Sequence, residues 1–326
     1  MLKFIFLVTT FVFLKAELPT LTIYSYDSFT QPWGTAPKIK KIFEKQNHCH
    51  LKFVTTPTSI GTLRKIQLEG KRTKADILLG LDTSLVAMAK KTKLFIKSDV
   101  NLSALSLPID YDDEYFVPYD YNYFSFVYNA DKLKNPPTSF EELANMPEDF
   151  KIIIQNPRSS TIGFGLVLWV QKVYGDKSKK YWKKLSKHIL TITKGWSEAY
   201  GLFLRGEADM VLSYTTSPAY HILEENRTNI KSTIFKEGHY GQIEVAGIVK
   251  YSKHKILAKK FLEFMHSQTF AKIIPTSNWS YPVVETTLPE VYSKIHKPSK
   301  MLMLDNELIK KNRNKYISIW RGAIHR

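Results

Sequence analysis

The residues Ala75-Asp76-Ile77-Leu78-Leu79-Gly80 make a nearly continuous apolar run with no polar face. A strand of that kind must be covered on both sides, which points to a parallel or mixed sheet flanked by helices. The surrounding pattern agrees. Residues 21–26 are rich in β-branched and aromatic side chains and read as a strand; a Gly/Pro-marked turn follows, then a helix with Ile39, Ile42 and Phe43 apolar. Residues 51–56 read as the next strand, and the helix after it carries Leu63, Ile66 and Leu68. A second α/β set begins near Tyr121: strand 151–155, helices 163–174 and 178–187, strand 191–193, helix 199–204 and strand 209–213. Ser139, Glu141 and Glu142 suit the start of a short helix over 139–146. From Ile243 come a strand and an amphipathic helix with Ile256, Leu257, Phe261, Leu262, Phe264 and Met265 apolar. A final helix ends in Trp320, and these last elements are expected to return to the first lobe.

The pattern predicts an α/β chain of two lobes, each a mixed sheet flanked by helices, with a cleft between them. Residues 17–120 plus 247–326 form the first lobe and 121–246 the second, a division that suits a chain of 326 residues. Ligands of open α/β sheets bind beyond the carboxyl ends of strands. The chemistry is therefore sought in the loops after Tyr26, Thr56, Gly80, Gln155, Thr193 and Ser213.

Composition removes several function classes. The single cysteine, Cys49, excludes a disulfide scaffold, and also zinc ribbons, thiol redox pairs and iron–sulfur clusters, each of which needs several thiolates. Lys and Arg number 47 against 30 Asp and Glu, a net charge of +17. Such a field permits attraction to nucleic acid or anionic membrane but specifies no site. The N-terminus argues against nucleic acid as a partner. Lys3 precedes an apolar run from Phe4 to Leu14 and Ala16 suits cleavage, so residues 1–16 read as a signal peptide and the remainder as a soluble periplasmic protein. At about 11 residues the run is too short to span a bilayer, which takes ~20.

The loops carry related chemistry. Tyr26 and Asp27 follow one strand, Asp82 another, Trp196 with Ser197 and Glu198 a third, and Tyr214, Thr215, Thr216, Ser217 and Tyr220 a fourth. Aromatic faces attract cations and stack on planar heterocycles, so the loops together describe a box for a flat organic cation. Each aromatic taken singly would suit a core equally well, and Ser197-Glu198 or Ser217-Pro218 a helix start. Residues 156–161 precede a helix whose N-terminal N–H groups suit phosphate or another anion, although Ser160 and Thr161 there serve equally as a cap. His48-Cys49-His50 has a metal-like composition but lies before a strand, away from the cleft, and no metal site is expected. The basic runs 177–187 and 310–315 read as solvated helix faces. No Gly-rich phosphate loop, His-Glu-x-x-His helix or Gly-x-Ser-x-Gly elbow occurs, so catalysis has no local signature.

The segments YDSF at 26–29, KADILLGLD at 74–82, TKGWSEAYGLFL at 193–204, VLSYTTSPAYHILEE at 211–225 and IPTSNWSYP at 274–282 resemble the thiamine-binding branch of the bacterial extracellular solute-binding proteins. The likeness spans nearly the whole chain after the signal. It implies the two-lobed periplasmic binding protein fold with a hinge between lobes. It also implies capture of thiamine, thiamine phosphate or thiamine diphosphate without a cofactor, and delivery by a monomer to an inner-membrane ABC permease with its ATPase. By the same resemblance Trp196, Tyr214 and Tyr220 line the vitamin, and Tyr26 and Trp279 add aromatic walls. Tyr214, Thr215, Thr216, Ser217 and Ser160 supply hydrogen bonds, with Ser160 and Thr161 where a ligand phosphate would lie. One contact turn departs from the pattern: Thr58-Ser59 stand where an acidic residue and Gly are expected. Asp27 and Asp82 are then the acidic residues left to offset the thiazolium charge.

Two rivals share the expected fold. An enzyme resembling thiaminase I would need a cysteine nucleophile assisted by a carboxylate, and Cys49 sits away from the expected cleft. A carrier of Fe(III) would use Tyr214 and Tyr220 as phenolates and would also want His or carboxylate ligands.

Overall fold

The computed structural model describes residues 17–324; the signal read at 1–16 lies outside the described residues. The chain runs β1 (Thr20–Tyr26), α1 (Asp27–Thr30), α2 (Thr35–Asn47), β2 (His50–Thr56), α3 (Ser59–Glu69), β3 (Ile77–Asp82) and α4 (Thr83–Lys91). It continues through β4 (Phe116–Asn129), α5 (Phe140–Ala144), β5 (Ile152–Gln155), α6 (Thr161–Tyr174), α7 (Ser178–Leu185), β6 (Ile189–Thr193) and α8 (Trp196–Leu204). Then come β7 (Met210–Tyr214), α9 (Ser217–Glu224), β8 (Ile230–Ser232), β9 (His239–Ile248), α10 (Lys255–Phe264), α11 (Gln268–Ile273), β10 (Tyr281–Pro282), β11 (Met301–Leu302) and α12 (Asn306–Ile324). No described helix is long and apolar enough to cross a membrane.

The main strands lie in the order β2-β1-β3-β9-β4-β7-β5-β6. At one end β1, β2 and β3 are parallel; at the other β5, β6 and β7 are parallel. Between them β9 runs antiparallel to both β3 and β4, and β4 antiparallel to β7. The fold is thus two mixed sheets flanked by helices, two lobes joined through long shared strands. β4 divides its pairing, with residues from Phe116 to Tyr123 on β9 and those from Phe124 to Asn129 on β7 and β8. Strand β3 is buried along its whole length, as its apolar run requires.

Each lobe has its own core. In the first, Phe43 of α2 packs edge-on against Phe261 and Phe264 of α10, with centroids 5.1 and 5.5 Å apart. In the second, Phe124, Ile154, Trp169 and Trp182 are buried together. The final helix departs from the expectation that it returns to the first lobe. Ile309, Tyr316, Trp320 and Ala323 of α12 are buried in the second-lobe cluster, because they form one apolar stripe of helical spacing that packs on α6 and α7. The same helix also touches α4 of the first lobe.

Candidate functional site

The carboxyl ends of the parallel strands from both lobes face one cleft of about 410 Å³, a size suited to a small-molecule ligand. Of the residues named from the sequence, Tyr26, Asp27, Thr58, Ser59, Ser160, Thr161, Trp196, Tyr214, Thr216, Ser217, Tyr220 and Trp279 line it; Asp82 and Thr215 do not. The rims meet across the gap. Ser197 Oγ lies 3.4 Å from Asp27 Oδ1, and a Cβ on Gly195 would come within 3.2 Å of Pro57 O and Thr58 Cγ2.

The helices α3, α6 and α8 are among those that begin at the cleft. Thr58 caps α3, its Oγ1 accepting from the Gly61 amide at 3.1 Å, and Ser160 caps α6 by accepting from the Gly163 amide at 3.4 Å. Gly195 precedes α8 with no side-chain cap. The first turn of α6 is pressed onto the end of β5, where a Cβ at Gly163 would sit 2.3 Å from Gln155 O. Unpaired N–H groups and the positive end of the helix dipole make these helix starts suited to an anion.

The aromatic walls are braced from behind. Trp196 stacks on Tyr200 at 4.8 Å and donates its Nε1–H to Ser213 Oγ at 2.9 Å. Tyr200 in turn is 2.9 Å from His221 Nε2, while His221 Nδ1 lies 2.7 Å from Glu225. Tyr214 stacks on Phe124 at 5.6 Å and donates to Gln242 Oε1 at 2.9 Å. Tyr220 meets Trp279 edge-on at 5.3 Å, and Trp279 holds a left-handed φ of 54°, uncommon for so bulky a residue. Tyr26 swings over β3 only because residue 80 is glycine, with φ 97° and the space of a Cβ occupied by the tyrosine ring at 2.3 Å.

The acidic groups of the cleft differ from those expected. Asp82 caps α4 through the Ser84 amide at 2.8 Å; burial pushes its pKa up to about 6. Its charge is opposed by the Arg313 guanidinium of α12, which lies over the Phe164 ring. Thr215 is fully buried beneath the loop. In their place the cleft is lined by Asp120 of β4 and Glu244 of β9, along with Asn122, Gln242 and Asn278. Asp120 and Glu244 are partners in the antiparallel ladder. Tyr26 and Tyr119 donate to Glu244 Oε2 at 2.8 and 2.9 Å, and Asn278 Nδ2 donates to Asp120 Oδ2 at 2.5 Å. Burial first, and the neighbouring carboxyl second, raise Asp120 well above the usual carboxylate range. Glu244 is pushed up to about 7 by burial, against the hydrogen bonds of Tyr26, Tyr119 and Asn278. Asp27, half-buried at the rim, is also raised by burial. Periodicity gives no signal for the pair; the one general cue is that carboxylates inside buried, mostly apolar strands need a partner or a purpose.

Cys49 is buried at the start of β2, at the opposite end from these loops. No group of three or more His, Cys, Asp or Glu that could hold a metal occurs among the described residues.

Comparison with known proteins gives this geometry a context. A family model for bacterial extracellular solute-binding proteins matches residues 72–312. The chain is 49% identical over 325 residues to the thiamine-binding periplasmic protein of Escherichia coli (strain K12), covering 100% of this chain and 98% of that one. It belongs to the bacterial extracellular solute-binding proteins. A further relative in this solute-binding family, the thiamine-binding periplasmic protein of Salmonella typhimurium, is 48% identical over 308 residues, 94% of either chain. A solved periplasmic thiamin binding protein superposes with a TM-score of 0.92 at 50% identity, over 95% of this chain and 97% of that one.

Proposed function

We propose that this solute-binding protein captures thiamine and its phosphate esters in the periplasm and delivers them, as a monomer and unchanged, to an inner-membrane ABC permease with its ATPase. The observation that carries the reading is one cleft that is lined by buried carboxyls, by aromatic walls and by helix N-termini. Thiamine phosphate has groups to match, a thiazolium cation and an anionic ester joined by a short link. The thiamine-binding proteins among the relatives support the choice of ligand. Trp196, Tyr214, Tyr220, Tyr26 and Trp279 enclose the rings; Ser160, Thr161, Thr58 and Ser59 hold the phosphate. Thr216 and Ser217 bond the ring heteroatoms. Asp27 steadies the closed rim.

Capture proceeds by closure of the lobes about β4 and β9. The moving bodies are residues 17–120 with most of 247–326, and 121–246 with α12 carried on its apolar stripe. An iron carrier is disfavoured by the Tyr214 phenol: burial and the nearby Glu244, Asp120 and Asp82 hold it protonated, and it donates to Gln242. A thiamine-cleaving enzyme would need a nucleophile in the cleft, and the buried Cys49, whose pKa burial raises, is remote from it. Titration of the ligand-stripped protein with thiamine tests the reading. Saturable binding with intact ligand recovered supports it, and an absence of binding overturns it.

A further inference from the structure

Asp120 and Glu244 meet across β4 and β9 with no counter-charge of their own. No described Lys, Arg or His forms an ion pair with either. One amide, Asn278 Nδ2, donates to both, at 2.5 Å to Asp120 Oδ2 and 3.2 Å to Glu244 Oε2. Asp120 Oδ1 is fully buried and has no hydrogen-bond partner, although the residue lines the cleft. Two carboxyls in such contact and out of water cannot both be ionised without a cation beside them.

We propose that Asp120 and Glu244 share one proton in the empty cleft and release it to solvent when a cationic ligand enters, so that capture of positive charge is coupled to proton release. The step balances: ligand cation and protonated pair go to the complex of cation and ionised pair plus one proton in solution. The inference rests on the thiamine reading, since it needs a ligand with a fixed positive charge.

The surroundings of the pair favour this exchange. Tyr26 of β1, Tyr119 of β4, Tyr214 of β7 and Tyr292 are the phenols whose environment includes the pair, and burial holds all four protonated. They act as hydrogen-bond donors and do not titrate in the working range. Gln242 of β9 and Ser280 beside β10 are neutral. Asp82 at the end of β3 adds negative charge that raises Glu244 further, and the Arg313 charge acts on Asp82. Among the described residues nothing basic supplies what the pair lacks. Burial moves both carboxyls upward, Glu244 to about 7, so the shared proton is present at neutral pH.

Competition by one proton predicts thiamine binding that tightens as pH rises, by up to about tenfold per pH unit below the pKa of the pair and not at all above it. The decisive experiment is calorimetric titration of the intact, ligand-stripped protein with thiamine at pH 7 in phosphate and in Tris, whose ionisation enthalpies differ widely. The expected result is a binding heat that differs between buffers by a sizeable fraction of one released proton. The Glu244→Gln variant should abolish that difference and weaken thiamine more than an analogue whose thiazolium is replaced by an uncharged aromatic ring. Tight binding with equal heats in both buffers, and a dissociation constant flat from pH 5.5 to 8, overturns the coupling alone. Heat in neither buffer overturns the thiamine reading and the coupling with it. Because the buffer comparison uses the unaltered chain, a folding defect in the variant does not affect it.

Discussion

The cleft is lined in two ways: α3, α6 and α8 begin at it, with Thr58, Ser160 and Gly195 at their caps, and Asp120 and Glu244 reach it from inside β4 and β9. The first lining attracts charge with peptide dipoles, which are fixed by the fold and do not titrate. The second uses ionisable groups taken out of water, which are costly to bury and respond to pH. A ligand with a cation at one end and an anion at the other therefore meets two kinds of recognition. On the proposed reading, the titrating carboxyl pair of the protein serves the cation end.

The largest expected effect falls on the wall common to both kinds of recognition. Trp196→Ala should weaken thiamine and its esters alike by about 2–4 kcal/mol, the scale of a buried aromatic anchor, as read by calorimetry. An unchanged dissociation constant would remove Trp196 from the site. Ser160→Ala sharpens the comparison: the phosphate esters should lose about 1.5–3 kcal/mol of binding, the range for a hydrogen bond to a charged group, while thiamine is nearly unaffected. Equal losses for all three ligands would place the anion elsewhere.

Stability of the empty protein separates the two linings by pH. Because the folded-state pKa of Glu244 is raised above its ordinary value of 4.5 to about 7, and that of Asp120 is raised as well, protonation favours the folded state. That contribution is complete below the ordinary carboxylate range and is lost as pH rises through about 7. The melting temperature should accordingly fall between pH 5 and pH 8, by ~2–4 °C for each kcal/mol lost, and the fall should be shallower in Glu244→Gln. A melting temperature that rises over this range would break the assignment of raised pKa values to the pair. The smallest effect belongs to the lone thiol: Cys49→Ala should leave thiamine affinity unchanged and the ligand intact. Thiamine destroyed by the wild type and spared by this variant would restore the enzyme reading.

The same contrast explains what was legible beforehand. Ser160 before a helix is a short local signal, and Tyr26, Trp196, Tyr214 and Tyr220 lie in loops after strands, so periodicity and strand ends point to these; Trp279 and Thr58-Ser59 have no such signal and rest on the family resemblance. Asp120 and Glu244 were missed because β4 and β9 lack the alternation that marks a half-buried strand; each is buried almost throughout, and a carboxylate inside it has no local pattern. The position of Asp82 after a strand predicts a place in the cleft, but a carboxylate at that point also suits a helix start, and the Ser84 amide takes it. The direction of α12 was equally hidden. Its stripe of Ile309, Tyr316, Trp320 and Ala323 demands burial without naming the lobe that provides it, and only the packing of α6 and α7 decides.

The most direct test of the account is a titration of the ligand-stripped mature protein with thiamine, thiamine phosphate and thiamine diphosphate, followed by Trp fluorescence with the bound ligand recovered and assayed. Saturable binding of the vitamin and its esters, each recovered intact, is the predicted result. Failure of all three to bind, or recovery of cleaved thiamine, would contradict it.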